Sequence, residues 1–183
     1  MRKQSWVDRL RFALASTAAD GQAHSPDTDT VRRIMAELER LEPARARYLA
    51  AFAYVLSRVA GADLNISSAE TEKIVDIIKD RGHLPEEQAV LVSEIAKSQH
   101  RLLGGTENFL VTREFRDIAT VEQRHDLLDC LFAVSAAEAG ISSQEEAQIR
   151  QIASELGFDH QQFVQARLAY SEHRTVIRMP HRG

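Results

Sequence analysis

Four carboxylates recur at one spacing in this chain. Asp63 and Glu70 stand seven residues apart in Ala62-Asp63-Leu64-Asn65-Ile66-Ser67-Ser68-Ala69-Glu70, and Glu138 and Glu145 do so in Ala137-Glu138-Ala139-Gly140-Ile141-Ser142-Ser143-Gln144-Glu145. In each copy the first acid closes an apolar helix, Ile-Ser-Ser makes a turn, and the glutamate falls in the first turn of the next helix. If the two turns meet, the four acids repel at neutral pH and require protons, basic partners or a divalent cation. Hard cations such as Ca²⁺, Mg²⁺ and Mn²⁺ take oxygen ligands of this kind. The expected metal ligands are therefore Asp63, Glu70, Glu138 and Glu145, with Asn65 and turn carbonyls as supplements and Zn²⁺ as a further ion to test. A second reading stands beside it. Ser67-Ser68-Ala69-Glu70 and Ser142-Ser143-Gln144-Glu145 are both capping boxes, in which the glutamate bonds back to the N-cap amide and nothing more follows.

Other chemistry finds little footing. Read as a calcium loop, Asp63-Leu64-Asn65-Ile66-Ser67 supplies oxygens at positions 1, 3 and 5. Ser68 then replaces the glycine of position 6 and Ile74 the glutamate of position 12, so it is not an EF-hand. The histidines are scattered, with no H-x-x-x-H or H-E-x-x-H. His125 can pair with Asp129 at i,i+4 as a structural ion pair, and His160 is expected to open the last helix. Cys130 lies in the apolar run Leu127–Phe132 and reads as a buried small hydrophobe. No phosphate-binding or nucleophile-elbow motif occurs, and Gly104-Gly105-Thr106 is a loop break. No nucleophile, base and orienting group assemble, so neither an enzyme nor an organic cofactor is expected.

The elements that must position the acids are helical throughout. Trp6, Val7, Leu10 and Leu14 line a first amphipathic segment, ended by Gly21. Ser25-Pro26 starts a second helix with Val31, Ile34, Met35, Leu38 and Leu41 inward. Pro43 restarts the chain, and Tyr48, Phe52, Val55, Leu56 and Val59 form a wide buried stripe. A fourth helix runs from Ser68 towards Arg81 with Ile74, Ile77 and Ile78 inward, closed by Gly82. Pro85 opens a fifth, which ends near Leu102. Residues 107–120 read as a loop with a short helix, packing Phe109, Leu110, Val111, Phe115 and Ile118 on the core. A long helix covers Val121 to about Ala139, and two more cover Ser143–Leu156 and Gln161–His173. The fold expected is all-α, a compact bundle of seven or eight helices.

The bundle contains a duplication. Shifted by 75 residues, 56–82 overlies 131–157 with identities at Leu56/Leu131, Val59/Val134, Ala62/Ala137, Ile66/Ile141, Ser67/Ser142, Ser68/Ser143, Glu70/Glu145, Ile74/Ile149, Ile77/Ile152 and Gly82/Gly157. Two such hairpins can pack face to face, with Ile66 and Ile141 plugging the turns into the core. The doubled turn resembles the tellurite-resistance TerB family and the TerB-like region at the start of the DjlA co-chaperone, whose unit reads A-D-G-x-I-S-x-x-E. Thr112-Arg113-Glu114-Phe115 and the stretch from Ile149-Arg150-Gln151-Ile152-Ala153 through Leu156-Gly157 to Phe163 add to the likeness, which spans about Arg45 to Ala169. The resemblance implies an all-helical fold, no known catalysis, and a divalent-metal site at the acids. It also implies a stress-response setting, often within membrane-associated protein assemblies. Both units depart from it by lacking the glycine after the first acid, and the second carries Glu138 in place of aspartate.

Composition bounds the remaining possibilities. The chain has 183 residues, 44% of them hydrophobic and 27% charged, which suffices for a core without staples. Its net charge of −4 supplies no cationic field for nucleic acid. A single cysteine excludes an intrachain disulfide and fits a reducing compartment. No apolar run is long enough to cross a bilayer, and the expected location is the cytoplasm. The expected organisation is a helical extension over 1–42, a TerB-like domain over 43–173 and a basic tail over 174–183. The amphipathic first segment and the tail suit a protein partner. The functional readings are a non-enzymatic stress-response protein binding a divalent metal, or a helical adaptor whose acids only cap helices.

Overall fold

Proline and cap residues start the helices, and apolar stripes decide how they pack. A computed structural model describes residues 26–59, 68–102, 108–137 and 140–173. Within them lie eight α-helices: α1 (Pro26–Arg40), α2 (Pro43–Ser57), α3 (Ser68–Arg81), α4 (Glu86–Leu102), α5 (Asn108–Ile118), α6 (Val121–Ala137), α7 (Ser143–Glu155) and α8 (His160–Leu168). A 3₁₀ turn, Ser171–His173, follows. The first amphipathic segment, Gly104-Gly105-Thr106, the basic tail, and the turn residues Asp63, Asn65, Ile66 and Glu138 lie outside the described residues.

Two helices form the centre, α2 because residues 48–56 are apolar on every side and α6 because it carries a wide apolar face. α2 buries Ala46, Tyr48 and the unbroken run Leu49–Leu56; its alanines let neighbours approach closely. α6 buries Leu127, Leu128, Cys130, Leu131, Phe132, Val134 and Ser135. Around α2 pack α4, α5 and α1; around α6 pack α3, α7 and α8. α3 belongs by sequence to the first repeat but packs on α6 of the second, and also on α4. The halves are thereby interleaved. Tyr48, Phe52 and Phe115 form one ring cluster, with centroids 5.4–6.1 Å apart. Phe132 gathers Phe163 and Tyr170 into another, at 5.8 and 5.4 Å.

The repeat register holds in three dimensions. α3 starts at Ser68 and α7 at Ser143, which are equivalent positions, and Leu56/Leu131, Val59/Val134 and Ile74/Ile149 are all buried. The hairpins differ where α2 stops. Its last turn tightens, with the Arg58 and Val59 amides donating to Val55 and Leu56 and the Ser57 hydroxyl to the Tyr54 carbonyl. α6 instead runs on to Ala137.

Residues 107–120 differ from the sequence expectation. They carry an eleven-residue helix, α5, which buries Val111 and Phe115 but leaves Phe109 51% and Leu110 53% exposed. Three consecutive apolar residues on a helix cannot all face one side, and Val111 takes the inward position. The final helix is also shorter than expected, giving way after Leu168 to the 3₁₀ turn.

The equivalent glycines Gly82 and Gly157 close their helices for different reasons. Gly157 has φ of 90°. Its amide donates to Ser154 O and that of Phe158 to Ala153 O, the paired bonds of a Schellman motif. At Gly82 the constraint is space: a Cβ would fall 2.5 Å from the Ile78 carbonyl and 3.2 Å from Phe52. The left-handed residue there is His83, φ 51°. Gly157→Ala should cost about 1–2 kcal/mol through backbone strain. Gly82→Ala should cost about 1–3 kcal/mol through overpacking. Urea melts of the two variants check both values.

Candidate functional site

The acidic turn of the second repeat is held by its own helix start. Ser142 is the N-cap of α7, its hydroxyl accepting from the Glu145 amide at 3.2 Å while Glu145 Oε2 accepts from the Ser142 amide at 2.8 Å. Ile141 just before it is buried. The capping role read for Glu145 is thus formed. The device is general here, since Thr120 with Gln123 and Asp159 with Gln162 make the same reciprocal pair of bonds at α6 and α8.

Glu70 sits exposed in the first turn of α3, facing Lys97 of α4. The Lys97 ammonium is held below its ordinary value by burial, while the Glu94 and Glu70 carboxylates oppose that shift. Lys97 also donates to the Thr71 hydroxyl. Asp63 and Glu138 lie outside the described residues. Within the described residues no group of three or more His, Cys, Asp or Glu side chains gathers. A shallow polar depression of about 280 Å³ opens on α7, lined by Ser143, Glu146, Ala147 and Arg150. Its buried Glu146 is engaged by Arg167 at 2.8 Å and Arg150 at 3.4 Å.

Behind the turns lies a buried ion pair that sequence reasoning passed over. Arg58 and Glu155 are 5% and 7% exposed, and Arg58 Nη1 donates to Glu155 Oε2 at 2.5 Å and to Thr112 Oγ1 at 2.6 Å. Gln151 donates to Glu155 Oε1 at 3.0 Å, and the Gln148 side chain donates to the Arg58 carbonyl. The C-terminal end of α2 is thereby fastened along α7, its Arg58 carbonyl one turn beyond Glu145 and the Arg58 guanidinium at the last residue of the helix. Arg58 stands five residues before Asp63 in the sequence. The sequence signal was a single charge of each sign inside an apolar stripe, Arg58 between Leu56 and Val59 and Glu155 between Ala153 and Leu156.

The remaining polar residues read as structure. His125 does not pair with Asp129 as expected; it packs on the Phe158 ring at 4.6 Å. Asp129 instead accepts from the Tyr170 hydroxyl at 2.7 Å and pairs with Arg81 at 3.3 Å. Asp126 takes His83 at 3.3 Å, and burial holds its carboxyl above the usual value although His83 opposes this. Cys130 is fully buried, as expected, and burial pushes its thiol up, away from thiolate chemistry.

These features define an all-α domain built from a duplicated hairpin with an acidic turn in each copy. The family model described as "Tellurite resistance protein TerB" matches residues 48–168. That is more than half of the chain, which therefore belongs to the TerB family. No curated protein and no solved structure gave a significant match. Within the described residues no helix is long and apolar enough to cross a membrane.

Burial alone would push the Glu155 carboxyl up, but hydrogen bonds from Arg58, Gln151 and Thr112 and the Arg58 charge outweigh it and hold it below the usual range. A depressed carboxyl contributes stability that is complete above its unfolded value, about pH 4.5, and is lost as pH falls through the lower folded value. Glu155→Gln strands the Arg58 charge and should cost about 3–5 kcal/mol at pH 7. The acid-side fall in wild-type stability should be smaller in the variant, as urea melts from pH 7 to 3 would show.

Proposed function

We propose that this TerB-family chain is a non-enzymatic stress-response protein whose two acidic turns share one divalent cation, with Asp63, Glu70, Glu138 and Glu145 as ligands. The observation that supports the reading is the bond from the Gln148 side chain to the Arg58 carbonyl, which sets the end of α2 against α7 one turn after Glu145. The donor chemistry fits a hard cation, because all four ligands offer carboxylate oxygen. Glu145 commits Oε2 to the Ser142 amide and keeps Oε1 as a single donor. Such oxygens favour Ca²⁺, Mn²⁺ or Mg²⁺ over Zn²⁺. Bound there, the ion supplies charge neutralisation between the two halves, and the chain's own part is to hold the carboxylates in place through the caps.

Titration calorimetry and melting scans with Ca²⁺, Mn²⁺, Mg²⁺ and Zn²⁺ test this. Saturable heat is expected, with stabilisation of about 2.7 kcal/mol at a hundredfold excess over Kd. Glu70→Gln/Glu145→Gln is the informative variant, since glutamine still serves in a capping box. It should melt close to wild type without ion and lose the ion's effect. Absence of saturable heat from the wild type overturns the proposal.

An adaptor reading is favoured by one separate observation, the adjacent exposure of Phe109 and Leu110 at the start of α5. Arg113 lies over the Phe109 ring at 5.5 Å, a common arrangement at protein interfaces. If this patch docks a partner, Phe109→Ser/Leu110→Ser should leave stability within about 0.5 kcal/mol of wild type. The same variant should release host proteins retained by the wild-type chain in pull-downs.

A further inference from the structure

α5 is pinned on one side and shows solvent a charged, apolar stripe on the other. Val111, Thr112 and Phe115 are buried, on a helix packed against α2 and α7. Thr112 accepts from Arg58 Nη1 at 2.6 Å, and Glu114 pairs with Arg47 of α2. The opposite side carries Phe109, Leu110, Arg113 and Asp117, all exposed, and their spacing sets them on one helix face. Arg116 meets Asp117 at 3.2 Å, so that pair is locally neutral. Arg113 is different. Its guanidinium lies over the Phe109 ring, 5.5 Å from the centroid, and among the described residues no carboxylate pairs with it. A ring attracts a cation through its face and engages none of the five N–H donors of an arginine. The stripe therefore joins two apolar side chains to a forked carboxylate receptor whose donors are unused.

We propose that this stripe docks a short acidic segment of a partner protein, whose apolar side chains cover Phe109 and Leu110 while a carboxylate takes the fork of Arg113. The proposal rests on the adaptor reading above and adds the chemistry of the partner. Charge complementarity selects an acidic segment, because a carboxylate can meet two N–H groups of one guanidinium. Area selects a short segment over a second copy of this chain. Half-exposed phenylalanine and leucine side chains offer about 200 Å² together, against the roughly 800 Å² that each partner gives a stable interface. The bonds at Thr112 and Glu114 hold the stripe in shape before docking, so little ordering opposes it.

Binding of short labelled peptides to the full chain, read by fluorescence anisotropy, tests this. The probes are a peptide of Leu, Ala and Glu, a copy with every Glu replaced by Lys, and a copy with every Leu replaced by Ser. The first should bind saturably, and the other two about tenfold more weakly. Arg113→Gln should weaken the first about tenfold and remove its advantage over the lysine copy, whereas Arg113→Lys keeps that advantage. Salt raised to about 0.5 M should act in the same direction as Arg113→Gln. Equal binding of the lysine copy, or no response to Arg113→Gln, overturns the proposal, as does absence of binding by the Leu, Ala and Glu probe. A dimer in sedimentation that Phe109→Ser/Leu110→Ser dissolves gives the stripe to a second copy and overturns it as well. If that variant still releases host proteins in pull-downs, the adaptor reading survives the failure of this one; if it releases none, both fall.

Discussion

The fold depends on one charged contact placed where hydrophobic contacts would otherwise suffice. Arg58 and Glu155 are removed from water, and each is costly to bury alone. They are held because Thr112 and Gln151 add hydrogen bonds, and because α2, α5 and α7 meet in a register that brings both Nη atoms of Arg58 to acceptors. An apolar pair of similar size would tolerate sliding between these helices. A bidentate geometry does not, and the relative placement of α2 and α7 inherits that precision.

Much of the architecture was legible in the residues. Wherever Pro, Ser or Asp stood before a 3.6-residue apolar period, a helix formed at that place, as at Pro26, Pro43, Ser68 and Ser143. The wide apolar stripe from Tyr48 to Val59 and the apolar positions from Leu127 to Val134 marked two strongly buried helices. Residues 107–120 were the exception. There the run Phe109-Leu110-Val111 lacks a period, and the helix orientation is set by which neighbours claim Val111 and Phe115. His125 escaped prediction for a related reason: helical spacing allowed a pair with Asp129, but tertiary contacts gave Asp129 to Tyr170 and Arg81.

The site was legible in type more than in arrangement. The spacing Ser142-x-x-Glu145 specified the cap it forms, because a capping box is closed by local geometry alone. Whether four acids meet depends on how two hairpins dock, and there Arg58 meets Gln148 and Glu155, 90 and 97 positions further along the chain. No local pattern encodes such a pairing. Only the incongruity of an arginine and a glutamate in apolar stripes hints at it.

The duplication makes this pair consequential in another way. The repeat places Ala133 where the first copy has Arg58, and exposed Asp80 where the second has Glu155. A pairing of two second hairpins would therefore set Ala133 against Glu155 and leave that carboxylate without its guanidinium. The two repeats are thus unequal partners: the guanidinium comes from one and the buried carboxylate from the other.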